Sequence, residues 1–101
     1  MKIKTIDIIA CEWFDRTYGN SYFSATITLN YGMKDVQKFT LPFQYGYGDS
    51  YIHTAFKLLH NEGFIKEGYT AYWQYCKDKG IIVRTTKHEN CKKRELIQHV
   101  I

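Results

Sequence analysis

Ser21-Tyr22-Phe23-Ser24-Ala25-Thr26-Ile27-Thr28-Leu29-Asn30-Tyr31 is the stretch that decides the fold class. From Phe23 onward its odd positions are apolar (Phe23, Ala25, Ile27, Leu29, Tyr31) and its even positions polar (Ser24, Thr26, Thr28, Asn30). A period of two sends alternate side chains to opposite faces, so this is a strand with one buried side. After the turn Gly32-Met33-Lys34-Asp35, residues 36–43 continue the pattern with Phe39, Leu41 and Phe43 on one face, which predicts a hairpin. Upstream, Ile3 to Phe14 is β-rich but divides its apolar residues: Ile6, Ile8 and Ala10 on one face, Ile9, Cys11 and Trp13 on the other. Such a strand is covered on both sides or carries a bulge near Cys11. Tyr18-Gly19-Asn20 supplies the intervening turn, so the first half reads as a three-stranded antiparallel meander.

The second half changes period. After Tyr45-Gly46-Tyr47-Gly48, Asp49 or Ser50 suits a helix N-cap, and Ile52, Ala55, Phe56 and Leu59 recur at helical spacing up to a stop at Asn61 and Gly63. A second helix is predicted from about Glu67 to Lys79, with Tyr69, Tyr72, Trp73 and Cys76 on one face. Gly80 caps it, and Ile81-Ile82-Val83 reads as a buried strand. Residues 90–101 are predicted to form a short helix with Leu96 and Val100 on one side. The result is a single α+β domain over residues 1–101, a meander followed by two helices and a further strand, with helices packed on one sheet face. Its expected core is Ile8, Phe23, Ile27, Leu29, Phe39, Leu41, Phe56, Leu59, Trp73 and Ile82.

Composition supports one folded unit. The chain has 101 residues, 45% hydrophobic and 24% charged, which excludes disorder, and no apolar run approaches the ~20 residues of a membrane helix. Cys11, Cys76 and Cys91 are odd in number and sparse, which reads as free thiols in a reducing cytoplasm rather than a secreted scaffold. Ile8-Ile9-Ala10-Cys11 matches a lipoprotein cleavage pattern, but Asp7 interrupts an apolar stretch already too short for a signal.

Charge is uneven. Residues 1–50 carry five basic and five acidic side chains; residues 51–101 carry nine and five. Lys77, Lys79, Arg84, Lys87, Lys92, Lys93 and Arg94 face only Asp78 and Glu89 within their segment. A basic run of this kind favours nucleic acid or a nucleotide, or else is a solvated face. Tyr72 and Tyr75, expected to be partly exposed beside Lys77 and Lys79, would add stacking. The loop Tyr45-Gly46-Tyr47-Gly48, running to Tyr51, offers backbone N–H groups at a helix start, but it lacks a cation and matches no phosphate fingerprint. The alternative is a strand-to-helix turn that needs its glycines for geometry.

Other chemistry is thin. His88-Glu89-Asn90-Cys91, with Cys76 or His99, lacks the paired ligand spacing of zinc sites, and no metal or cofactor is expected. Cys11 or Ser50 with His53 or His60, and Glu12 with Asp15 and Arg16, form no convergent catalytic set, so no enzyme is expected.

Trp13-Phe14-Asp15-Arg16-Thr17-Tyr18-Gly19-Asn20-Ser21-Tyr22 and Tyr45-Gly46-Tyr47-Gly48-Asp49-Ser50-Tyr51 resemble the W-F-x-x-x-x-G-N-[ST]-Y and Y-G-Y-G-x-x-Y motifs of small uncharacterised proteins encoded by bacteriophages. The resemblance covers roughly residues 3–60 and brings no catalytic residues. It implies a phage accessory protein acting in the cytoplasm of an infected bacterium by binding. The first expectation is therefore a non-enzymatic binder of nucleic acid or a nucleotide. The alternative is a protein–protein inhibitor of a host defence nuclease such as a CRISPR effector, contacting its target through surplus tyrosines. Self-association through those tyrosines is a further partner reading; a membrane is not.

Overall fold

The computed structural model describes residues 2–65 and 72–98. Its elements are β1 (Thr5–Asp15), β2 (Asn20–Leu29), β3 (Gln37–Tyr45), α1 (Ser50–Asn61), α2 (Tyr72–Asp78), β4 (Ile82–His88) and α3 (Lys93–Gln98). The first three strands pair antiparallel, but β4 runs parallel to β1, so the sheet is mixed with the order β3-β2-β1-β4. The expected three-stranded antiparallel meander is present, and the further strand makes the sheet mixed: the chain returns to the free edge of β1 through α1 and α2, and a crossover of that length permits a parallel partner.

Strand alternation holds for the core. Ile6, Ile8 and Ala10 of β1 oppose Leu29, Ile27 and Ala25 of β2, and all six are buried. Tyr51, Ala55, Phe56 and Leu59 of α1 and Tyr75 and Cys76 of α2 join the same cluster. Gly63, at φ 83°, ends α1 as expected, with the Gly63 and Phe64 N–H groups donating to the His60 and Leu59 carbonyls. Asn30 is fully buried at φ 54° and ties down the start of the chain. Its Oδ1 accepts from the Lys4 N–H at 2.7 Å, and its Nδ2 donates to the Lys2 carbonyl at 2.9 Å.

Three expectations are corrected. Trp73 is 67% exposed, and Tyr75 takes the inward place. The buried face of α2 is Tyr72, Tyr75 and Cys76, about one residue's rotation from the predicted face; the Tyr75 hydroxyl donates to the Phe64 carbonyl at 3.5 Å. Ile82 is 60% exposed, because β4 is an edge strand that buries only the Ile81 and Val83 side. Phe43 does not share a face with Leu41. Between Phe23 and Ala25 the pairing shifts, so that Pro42 and Phe43 oppose the single residue Ser24. That bulge, at a proline on an edge strand, turns Phe43 to the opposite side. Tyr69, Val100 and the start of the predicted second helix lie outside the described residues.

Candidate ligand-binding surface

The β1–β2 turn brings Trp13 opposite Tyr22, and β3 brings Tyr45 opposite Tyr22. The bulge adds Phe43. Four rings from three strands therefore meet on the face away from the core. Trp13 stacks on Tyr22 at 5.5 Å between centroids, Tyr22 on Phe43 at 5.1 Å, and Tyr45 stands edge-on to Tyr22 at 5.9 Å. Offset-stacked and edge-to-face pairs at these separations are attractive, so the rings order one another.

α3 supplies the charge. The Cys91 N–H donates to the Glu12 carbonyl at 3.0 Å, which anchors the approach to the helix beside β1. Leu96 is fully buried, and α3 packs against β1, β2 and β3. The Lys93 ammonium then lies 5.6 Å from the Trp13 ring centroid and 6.0 Å from that of Phe43, within cation–π range. Next to it, a depression of about 410 Å³ opens between Trp13, Arg16 and Thr17 on one side and Asn90-Cys91 on the other. Arg16, Lys92, Lys93 and Arg94 are exposed around this end of the sheet. The nearby carboxylates are engaged locally: Asp15 accepts from the Thr17 N–H at 2.9 Å and Glu95 from the Lys92 N–H at 3.2 Å. The second contact is half of a capping box and holds the first turn of α3.

The other predicted basic residues are elsewhere. Lys77 and Lys79 are exposed at the end of α2, and Lys79 borders a separate hollow with Lys2 and Glu62. Arg84 and Lys87 point to opposite faces of β4. Arg84 binds Asp7 in a fork at 2.7 and 2.9 Å, and that hydrogen bonding with the Asp7 charge raises its pKa. Lys87 reaches Glu12 and the Gly48 carbonyl, both at 3.3 Å. Burial opposes its charge, but the bond to Glu12 and the charges of Glu12 and Glu89 outweigh that and raise its pKa. Of the seven basic residues, only Lys93 contacts the ring cluster, with Lys92 and Arg94 exposed on either side of it in sequence. Tyr72 is half-buried and stacked on Phe56 at 5.2 Å, and Tyr75 is buried rather than partly exposed.

The Tyr45–Tyr51 loop has structural reasons for both glycines. A Cβ on Gly46 would stand 2.6 Å from Cε1 of Phe23, and Gly48 adopts φ 60°. Tyr51 is buried, whereas Tyr45 and Tyr47 are 62% and 67% exposed. Asp49 occupies the N-cap position of α1 without a side-chain cap bond.

Sequence reasoning placed Tyr22 on the outward face of its strand but missed Trp13 and Phe43 as its surface partners. Trp13 and Tyr22 were readable as a pair, since both lie equally far from the centre of the Arg16–Gly19 turn. Phe43 was not, because alternation without the bulge sends it inward. Among the described residues, no group of three or more His, Cys, Asp or Glu side chains is arranged to hold a metal ion, and no helix is long and apolar enough to cross a membrane. No protein-family model matches the chain, and neither a curated protein nor a solved structure matches it significantly.

Proposed function

We propose that this protein is a non-enzymatic binding protein, a phage accessory factor, that takes an anionic aromatic ligand, a nucleic acid or a nucleotide, at the α3 end of the sheet. The observation that carries the reading is Lys93 held over the Trp13 and Phe43 rings, with Arg16, Lys92 and Arg94 exposed nearby. Nucleic acid asks for this combination: cations for phosphates and aromatic surface for bases. The proposed surface is narrower than the whole basic run, since Arg84 and Lys87 are ion-paired with Asp7 and Glu12. A gel-shift and fluorescence titration against DNA, RNA and a panel of cyclic dinucleotides tests it. Binding that weakens with salt is expected, and silence across the panel at low salt refutes it.

A second reading has its own support. Tyr18, Tyr45 and Tyr47 are exposed, and exposed tyrosines suit a protein interface such as an inhibitor's contact with a host defence nuclease. Tyr45→Ala with Tyr47→Ala would then abolish activity, while reversing the charge of Lys92, Lys93 and Arg94 would not.

A further inference from the structure

We propose that Cys11 and Cys91 are a dithiol that closes to a disulfide by exchange with a small-molecule disulfide, stapling the approach to α3 onto β1. Three observations carry it. The Cys91 N–H is bonded to the carbonyl of Glu12, the residue after Cys11, so the two backbones are adjacent. The Cys91 side chain is among the groups that raise the Cys11 thiol, so the two side chains are neighbours. Cys11 is buried outside the main core cluster, whereas Cys91 is only half-buried, so one thiol is accessible and the other is its nearest sulfur partner. Cys76 belongs to the main core with α2 and does not compete.

The order of events follows from the environments. Burial, then the hydrogen bond and charge of Cys91 and the charge of Glu95, push the Cys11 thiol up to about 12, so Cys11 is a poor first nucleophile. Cys91, its thiol directed at the His88 carbonyl at 3.2 Å, attacks the small disulfide. A Cys91 mixed disulfide forms and one small thiol leaves. Cys11 then attacks the Cys91 sulfur, the protein disulfide forms, and the second small thiol leaves. The two protein thiol protons end on the two released thiols, and the small disulfide is reduced by the two electrons the protein gives up. The staple closes a loop of roughly 80 residues, long enough for a large effect on the unfolded chain.

The test incubates the folded full chain with oxidised glutathione, then denatures it, alkylates free thiols and measures intact mass. The expected product is a monomer two hydrogens lighter with one alkylatable thiol, Cys76, melting roughly 10 °C higher than the reduced chain. Cys91→Ser, a substitution at a half-buried site, should leave two alkylatable thiols after the same treatment. A stable glutathione adduct on Cys91 with Cys11 still free, a disulfide-linked dimer, or an oxidised monomer that melts no higher would each overturn the proposal. The outcome does not depend on which ligand the cations of α3 bind.

Discussion

Gly46→Ala should destabilise the protein through one contact. The added methyl would meet Phe23 Cε1 at 2.6 Å, Phe23 Cδ1 at 3.0 Å and Ser50 Cβ at 3.1 Å. Phe23 is 2% exposed and lies in the core, so its ring has little room to retreat. Overpacking of this kind costs about 1–3 kcal/mol. Alanine also restricts the unfolded chain, which returns about 0.4–1 kcal/mol, and Gly46 has no positive φ to strain it. The net loss is about 1–2 kcal/mol, or roughly 5–15 °C in Tm for a domain of this size. Urea melts of the four corners of a cycle with Phe23→Leu give the decisive number. Removing the ring edge should cut the cost of Gly46→Ala to under about 0.5 kcal/mol, a coupling typical of residues in contact. Gly48→Ala is the contrast. Its cost, about 1 kcal/mol, comes from φ 60° and should not change with Phe23. Equal losses for Gly46→Ala in both backgrounds, or no loss in either, would refute the steric account of this loop and reopen a ligand role for its glycines.

Other perturbations follow from single contacts. Asn30→Ala removes the side-chain partners of the Lys4 N–H and the Lys2 carbonyl and should lower stability by about 2–3 kcal/mol in denaturant melts. Ile27→Asp or Leu59→Asp buries an unpaired carboxylate at a fully buried position and should unfold the domain, visible as loss of the circular-dichroism transition. Cys11 gives a pH dependence. Its pKa is about 12 in the folded chain against an ordinary 9.0, so the folded state keeps a proton that the unfolded state releases. The stability this thiol contributes is full below pH 9 and falls as pH rises toward 12, by about 1 kcal/mol near pH 10. Wild type and Cys11→Ala should therefore converge in stability between pH 8 and pH 10. Lys87→Met should speed amide exchange around Gly48 by removing the bond to its carbonyl.

The meander was legible because the core-facing residues of β1, β2 and β3 recur with a period of two, although Cys11, Ser24 and Thr28 are buried on the other face as well. The place of β4 was not. Ile81-Ile82-Val83 is apolar throughout, and a short apolar run does not say whether it will be central or an edge. In α2, Trp73 and Tyr75 are both large aromatics near the border of one face. Packing of Tyr72 on Phe56 and of Tyr75 near Phe64 chose between them. The surface shows the same division. The basic run Lys77–Arg94 was visible as charge, yet strand alternation alone separates Arg84 from Lys87. Their carboxylate partners, Asp7 and Glu12, are about 75 residues away in sequence and become neighbours only through the parallel pairing of β1 with β4. Lys93 meets Trp13 for the reverse reason: the long-range packing of α3 on the sheet brings together two motifs that read as separate.

Arg16, Lys92, Lys93 and Arg94 with the neighbouring rings are the proposed binding surface, and Lys77, Lys79, Arg84 and Lys87 lie outside it. Fluorescence anisotropy of a labelled single-stranded oligonucleotide, titrated at stepwise salt, tests it most directly. Three to four phosphate contacts predict that log affinity falls by about 2–3 per tenfold rise in salt. Lys92→Glu with Lys93→Glu and Arg94→Glu should abolish binding, Trp13→Ala should weaken it by about 1–3 kcal/mol, and Lys77→Glu with Lys79→Glu should leave it within twofold of wild type. No binding at low salt, or equal losses from the α3 triple and the α2 double variant, would contradict the account.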